Sequence, residues 1–246
     1  MNYRPSSLLA TAPGALLSLV CSAAMADAAG SDEPVAPETN ANPPGISLYL
    51  DAGYASSYVF RGVNQGNNWG EARAEAAIPL TDSTSFSVGG KFGAADGYDE
   101  AQAFASLQQS LGMFTAALGY RWYGLDADER QEIGAMLGTS LLGIDWNLGF
   151  FHDTGVSGQY LELTGQHKWQ LLDSLALRTS AGISYSNEYW GDNSGLNNAV
   201  FRLDLPITLR DWCTLTPWVS ASIPFDAIDN LADDEIFGGV NLQVSF

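Results

Sequence analysis

The chain ends with Ile236-Phe237-Gly238-Gly239-Val240-Asn241-Leu242-Gln243-Val244-Ser245-Phe246, a stretch in which apolar residues alternate with small or polar ones. Because strand side chains point to alternate faces, Val240, Leu242 and Val244 share one face and the polar residues between them share the other. Alternation over about ten residues with one apolar face is typical of a strand in the wall of a transmembrane barrel. The stretch therefore predicts a membrane β-strand at 236–246.

The start of the chain predicts export. Residues 1–26 carry one basic residue, Arg4, then an apolar stretch and a small-residue cleavage site, which is the pattern of a secretory signal peptide. Residues 27–45 are acidic and proline-rich, a composition that cannot bury a core, and are predicted to form a flexible leader. The remaining residues, 46–246, are predicted to form one barrel domain.

Similar alternation recurs throughout this domain, which has no apolar run of about 18 residues that would span a membrane as a helix. Strands are predicted at 46–60, 69–80, 84–93, 101–110, 113–122, 132–141, 144–151, 159–169, 175–185, 198–209, 213–224 and 236–246. An even number of strands keeps both termini on the same side of the membrane. The predicted fold is an all-β, antiparallel transmembrane barrel of about twelve strands.

The predicted connections alternate in length. Five are short, at 81–83, 111–112, 142–143, 170–174 and 210–212, and six are longer, at 61–68, 94–100, 123–131, 152–158, 186–197 and 225–235. Outer-membrane barrels have short periplasmic turns and longer extracellular loops. A soluble β-sandwich also has alternating strands, but it gives no reason for the connections to alternate in length.

The outward face of the predicted strands is apolar and uncharged, as contact with lipid requires. Aromatic residues cluster near the strand ends, and Tyr58, Phe60 and Trp69 are among those predicted to form an interfacial girdle.

The opposite face holds most of the in-strand charge. The predicted pore-lining residues are Glu71, Arg73, Glu75, Lys91, Arg121, Glu132, Asp145, Glu162, Lys168, Arg178, Arg202 and Asp204. These groups either pair and fill the barrel, or line a narrow watery path. The lumen of a barrel of about eight strands is filled by side chains, and that of a barrel of about sixteen strands is an open channel. A barrel of twelve strands lies between these cases. Glycines on the inner face leave space, which favours the path.

Much of the net charge of −18 lies in the predicted outer loops, which hold fourteen acidic residues and two arginines. The last loop provides an acidic rim of Asp226, Asp229, Asp233, Asp234 and Glu235. Such a rim attracts cations, binds divalent ions that bridge to lipopolysaccharide phosphates, or simply keeps the surface solvated. Its spacing is not that of an EF-hand, so no metal site is predicted, and its charge argues against nucleic-acid binding.

The most specific motif is Tyr58-Val59-Phe60-Arg61-Gly62, within residues 53–65. This segment resembles the opening strand of the TorF-like porin family of proteobacteria, earlier described as a conserved family of unknown function (Gcw_chp). Family members usually have an acidic residue where Ser57 stands and a serine where Asn64 stands. The resemblance implies an outer-membrane barrel assigned to transport. We expect Arg61 and Gly62 to turn the chain into the first outer loop, with Arg61 paired to the acidic rim.

Two other classes of function compete with transport. A hydrolytic barrel needs a nucleophile, a base and an orienting acid, and the candidate fragment at 151–154, which contains His152, has no catalytic signature. The second histidine, His167, is predicted on the lipid side. An adhesive barrel would expose aromatic residues in its loops, for which Tyr189 and Trp190 are candidates. We predict no enzyme activity and no cofactor.

The sequence as a whole favours a porin-like outer-membrane channel for passive diffusion of small solutes, with a preference for cations. The alternative is a closed barrel with a structural or surface-binding role. The expected partners are outer-membrane lipid, lipopolysaccharide, the barrel-assembly machinery and the solute. The C-terminal Phe246 resembles the aromatic signal by which that machinery recognises outer-membrane barrels.

Overall fold

The structure, a computed structural model, describes residues 45–125 and 129–246, so the predicted signal peptide and residues 27–44 of the leader lie outside the described residues. The strands are β1 (Ser47–Phe60), β2 (Val63–Thr81), β3 (Thr84–Ala95), β4 (Tyr98–Leu111), β5 (Phe114–Leu125), β6 (Glu129–Leu141), β7 (Ile144–Asp153), β8 (Gln159–Leu172), β9 (Leu175–Asn187), β10 (Ser194–Asp204), β11 (Ile207–Arg210), β12 (Cys213–Pro224) and β13 (Glu235–Ser245). Within these two ranges, no helix is long and apolar enough to span a membrane.

The strands form one antiparallel sheet that closes on itself, because β1 pairs with β13 and β13 pairs with β12. Both β10 and β11 pair with β9 on one side and with β12 on the other, so they are two parts of a single wall strand. The strand is interrupted at Pro206, which lacks the N–H that a ladder needs. The barrel therefore has twelve wall strands, as the sequence predicted.

The two ends of the barrel differ. One end, which we call the turn end, carries Ser47, Ser245 and two-residue turns at 82–83, 112–113, 142–143, 173–174 and 211–212. The opposite end, the loop end, carries described connections at 61–62, 96–97, 154–158, 188–193 and 225–234. The predicted longer loops at 61–68 and 94–100 are wrong: two residues, 61–62, connect β1 to β2, and two, 96–97, connect β3 to β4, because strand pairing continues into the predicted loops.

Burial alternates along the strands and separates an apolar outer face from a polar inner one. Leu118 is 63% exposed, and other large apolar side chains are exposed around the circumference: Leu48, Leu50, Val88, Phe92, Leu137, Leu148, Phe150, Leu161, Leu163, Ile183, Phe201, Leu203 and Val219. An apolar surface that extends around a whole barrel is suited to contact with lipid.

Candidate functional site

The first hairpin leaves the barrel wall at the loop end. β1 pairs with β13 as far as Ala55 and Gly239, whereas its pairing with β2 continues to Phe60 and Val63. A β-bulge lies just beyond this departure point, and bulges bend the strand that carries them. The hairpin tip, residues 58–65, therefore extends past the wall, and we call it the plug.

The plug lies inside the barrel. Tyr58, Val59 and Arg61 are at most 2% exposed, and Phe60 is 6% exposed. The buried ring of Trp69 stacks on Tyr58 with ring centroids 4.0 Å apart. The prediction that Tyr58, Phe60 and Trp69 face lipid in a girdle is therefore wrong. The hairpin bends inward and carries Tyr58 and Phe60 away from the outer surface, whereas Trp69 pairs with Ala55 in the wall and shares the inner face with Glu71, to which its Nε1 donates at 2.7 Å.

The tip of the plug crosses the lumen to the inner side of β6. Arg61 Nη1 and Nη2 donate to Oε1 and Oε2 of Glu132 at 2.5 and 2.9 Å, forming a bidentate pair with both side chains buried. Burial by itself would lower the pKa of Arg61, but the Glu132 carboxylate raises this pKa well above its ordinary value. The expectation that Arg61 pairs with the acidic rim is wrong, since its partner lies on the inner wall.

Aromatic rings surround the Arg61 guanidinium. Its Cζ lies 4.3 Å from the ring centroid of Tyr160, 4.5 Å from that of Tyr189 and 4.9 Å from that of Phe151. A cation within about 6 Å of a ring centroid is attracted by the ring quadrupole. We call Glu132, Phe151, Tyr160 and Tyr189 the arginine cage. The prediction of an exposed Tyr189 is wrong, because this side chain is buried in the cage.

The last outer loop, residues 225–234, packs against the plug. Ala227 and Ile228 of this loop are buried. From the neighbouring strand β10, Asn197 Nδ2 donates to the carbonyl oxygen of Arg61 at 2.8 Å. Gly62 has a φ of +87°, and a Cβ atom there would lie 2.7 Å from Ile228 Cδ1. Glycine at this position therefore meets both a backbone requirement and a steric one.

The predicted acidic rim lies at the loop end. Asp226, Asp229, Asp233 and Asp234 are exposed, whereas Glu235 begins β13 and accepts a hydrogen bond from Asn64 Nδ2 at 2.9 Å. In the part of the chain that the structure describes, no three His, Cys, Asp or Glu side chains form a group that could hold a metal ion.

Below the plug, the inner face carries ion pairs. Arg202 Nε donates to Asp204 Oδ1 at 2.8 Å, and Arg178 Nε lies 3.4 Å from Asp204 Oδ2. On the facing side of the barrel, Arg73 donates to Glu75 at 2.7 Å. These charges are taken out of bulk water and compensated by one another.

The other predicted pore-lining residues also lie on the inner face. Lys91 Nζ is 3.7 Å from Glu71, Arg121 stands opposite Glu132 in the strand register, and Asp145, Glu162 and Lys168 lie on β7 and β8. Glu162 and Asp145 are half-buried, and Lys168, closer to the turn end, is exposed. Lys168 is exposed although Arg178, its partner in the strand register, is buried, so burial varies around the inner face at this level. Whether these groups line a conducting pore stays a prediction.

The inner-face residues that were not predicted include three charged ones, Glu100, Arg130 and Asp153. Arg130 Nε donates to Asp153 Oδ2 at 2.6 Å, and the Tyr58 hydroxyl donates to Glu100 Oε1 at 3.1 Å. All three lie in segments predicted to be loops, which are strand residues in the structure. Alternation that continues beyond the predicted strand ends is the sequence signal that could have identified them.

The fragment at 151–154 does not assemble a hydrolytic pair. His152 and Asp153 are neighbours in β7, so their side chains point to opposite faces of the wall. The Asp153 carboxylate instead pairs with Arg130 and accepts the backbone N–H groups of Gly155 and Val156 at 2.8 and 3.1 Å.

The Tyr58→Ala substitution is expected to lower the free energy of unfolding by about 3 to 5 kcal/mol, because it removes a buried ring and leaves a cavity against Trp69. The measurement is urea unfolding of the refolded protein in detergent micelles, followed by tryptophan fluorescence. Tyr120→Ala is the control, since Tyr120 is on the outer face and 43% exposed. Equal losses in the two variants would contradict the assignment of Tyr58 to a packed interior.

No family model and no curated protein matches the sequence. Several solved structures do match at low identity. An outer membrane channel from Pseudomonas putida F1 is 10% identical with a TM-score of 0.53, covering 87% of this chain and 99% of that chain. The NanC porin is 10% identical with a TM-score of 0.52, covering 81% and 98%. The translocator domain of the autotransporter NalP from Neisseria meningitidis is 13% identical with a TM-score of 0.51, covering 84% and 90%.

The matched proteins include a porin, a channel and a translocator domain, so the likeness concerns architecture and not a single activity. It extends over more than four fifths of this chain and nine tenths or more of each matched chain. Together with the closed antiparallel sheet, it shows that this chain has the fold of the outer-membrane β-barrels.

Proposed function

We propose that the protein is a narrow, porin-like channel of the bacterial outer membrane for small solutes, with its outer end closed by the plug in the conformation described. The observation that carries this proposal is that the tip of the first hairpin leaves the wall and is buried inside the lumen. Beneath the plug, the inner face is charged. Stability alone does not require these charges, because apolar side chains would fill the interior of a closed barrel equally well. Withdrawal of one hairpin would therefore uncover a polar path.

The space beside the plug indicates how tightly the outer end is closed. It is a cavity of about 30 Å³ lined by Phe60, Gln65, Tyr98, Glu100, Tyr123, Arg130, Tyr189 and Trp190. A space of this size holds about two water molecules at most. A small solute does not fit in this space beside the plug, so we propose that the plug moves to admit a solute and that the channel is gated.

The orientation follows the general pattern of outer-membrane barrels, in which short turns face the periplasm and loops face outward. The acidic rim then surrounds the outer mouth and concentrates cations, which supports the proposed cation preference. Membership of the TorF-like family is proposed on the resemblance of residues 58–62 to the motif of that family. Lipopolysaccharide is the proposed partner of the rim, and the barrel-assembly machinery that of Phe246.

Single-channel recording in a planar bilayer tests the proposal. The refolded protein is expected to open infrequently and to prefer cations in a salt gradient. Replacing Asp226, Asp229, Asp233 and Asp234 with asparagine is expected to lower the cation-to-anion permeability ratio roughly twofold or more, because four charges leave the outer mouth. The control replaces Asp82, Asp173 and Asp211, which are exposed at the turn end. An equal change in the control would contradict a selective role for the rim.

The alternative function, a closed surface-binding barrel, is favoured by one observation: Tyr58, Val59 and Ile228 are fully buried, as in an ordinary protein core. This alternative expects no openings from the folded barrel even after the plug has been loosened by mutation. It also expects binding to lipopolysaccharide that survives such mutations. Openings that increase when the plug is loosened would support the channel.

A further inference from the structure

We propose that the arginine cage is a binding site for a cationic solute that carries a guanidinium group, and that Arg61 occupies it as an internal ligand. The inference rests on the proposed function, because a solute reaches the cage through the lumen or the outer mouth. It assigns a chemical class to the solute and a reason for the plug to move.

The cage is built by the wall and its loops, and not by the plug. Glu132 belongs to β6, Phe151 to β7 and Tyr160 to β8, while Tyr189 lies in the connection between β9 and β10. None of these residues is part of the hairpin that carries Arg61. Withdrawal of the plug would therefore leave the cage intact and remove Arg61 from the Glu132 carboxylate.

The carboxylate of the cage is held in place independently of Arg61. Tyr189 Oη donates to Glu132 Oε1 at 3.2 Å, and Tyr123 Oη donates to Oε2 at 3.3 Å. Burial raises the pKa of Tyr189 well above its ordinary value, so its hydroxyl keeps the proton that it donates. Two tyrosines from different elements thus fix both oxygens, and the site is preorganised before any cation arrives.

The geometry selects a planar cation. Both Glu132 oxygens receive one N–H each from Arg61, which is the fork arrangement that a guanidinium makes and a lysine ammonium does not. The three cage rings lie 4.3 to 4.9 Å from the guanidinium carbon, where a weakly hydrated, delocalised cation gains most. Glu132 is fully buried, so its charge requires a cation in contact with it.

A free guanidinium solute competes with Arg61 for the same carboxylate. A ligand that binds the cage when the plug has left it shifts the population toward the open conformation. A guanidinium solute therefore raises the population of the open conformation through which it passes, and a neutral solute of the same shape does not.

Ligand rescue tests this inference. Methylguanidinium at millimolar concentrations, far below denaturing ones, is expected to raise the thermal unfolding midpoint of R61A by several degrees, and to leave wild type nearly unchanged. Its neutral isostere, methylurea, is expected to leave the unfolding midpoints of both R61A and wild type unchanged. The R61A/E132Q double variant is expected to lose the response, because the acceptor carboxylate is gone. Equal shifts with methylurea, or no shift in folded R61A, would overturn the inference.

Wild-type recordings provide a measurement that does not depend on the folding of a variant. Methylguanidinium is expected to increase the open probability at least several-fold, and methylurea is expected to leave it unchanged; no increase with methylguanidinium counts against the inference. The two proposals fail in distinguishable ways. If R61A conducts but does not respond to methylguanidinium, the channel function is supported and the guanidinium site is contradicted. If R61A is stabilised by methylguanidinium but never conducts, the guanidinium site is supported and the channel function is contradicted.

Discussion

Replacing Arg61 with alanine is expected to open the outer end of the barrel. In the closed conformation of this variant, Glu132 would be buried without the Arg61 cation and with only the hydroxyls of Tyr123 and Tyr189 bound to it, whereas in the open conformation its carboxylate would meet water. Leaving a buried charge unpaired costs about 3 to 5 kcal/mol, so the ratio of open to closed states should rise by roughly two orders of magnitude or more. Single-channel recording of the refolded variant measures this ratio directly.

Two variants control this experiment. Arg61→Lys keeps the positive charge but loses the bidentate fork, and should give an open probability between those of wild type and R61A. Arg210→Ala removes an exposed arginine at the turn end, which donates to the Leu209 carbonyl oxygen, and should behave like wild type. A folded R61A barrel that opens no more often than wild type would show that the Arg61 and Glu132 pair does not hold the plug.

Replacing Gly239 with alanine is expected to prevent closure of the barrel. A Cβ atom at this position would lie 2.0 Å from the carbonyl oxygen of Tyr54 and 3.0 Å from the Cα of Ala55, both backbone atoms that cannot move aside. Gly239 pairs with Ala55 at the point where β1 leaves the wall. Overpacking against the backbone here should cost about 3 kcal/mol or more. The measurement is the fraction of heat-modifiable, compact protein on a gel after refolding.

Gly70→Ala is the matched control. Gly70 pairs with Tyr54 from β2, on the side of β1 opposite β13, and a Cβ atom there meets nothing within 4 Å. Its effect on the folded fraction should be small, within about 0.5 kcal/mol. Similar folding defects in both variants would mean that loss of glycine itself, and not the contact with β1, is responsible.

The alternation of side chains was enough to predict the wall. The twelve strands, their faces and the short turns follow from local sequence, because each wall strand must present one face to lipid and one to the lumen. The interruption at Pro206 was not foreseen, but it leaves the register of the wall intact, since β10 and β11 keep the same two neighbours.

The plug was not predictable in the same way. Tyr58 and Phe60 continue the alternation of β1, so the pattern assigns them to the outer face. Their burial depends on the bend after Ala55 and on surfaces that β6 to β9 provide only when the barrel is closed. One local signal was present: Arg61 follows a run of apolar residues, and a basic residue at such a tip needs an acidic partner. The sequence does not indicate which acid that is.

The separation of Arg61 from Glu132 by 71 residues also constrains the order of folding. The hairpin is the first part of the barrel to be synthesised, yet the cage that receives it requires β6, β7, β8 and the connection after β9. Contacts between distant parts of a chain form late, because the intervening loop must first be closed. The aromatic tip of the hairpin is therefore among the first segments made and among the last to reach its final position, so it stays uncovered throughout assembly of the wall.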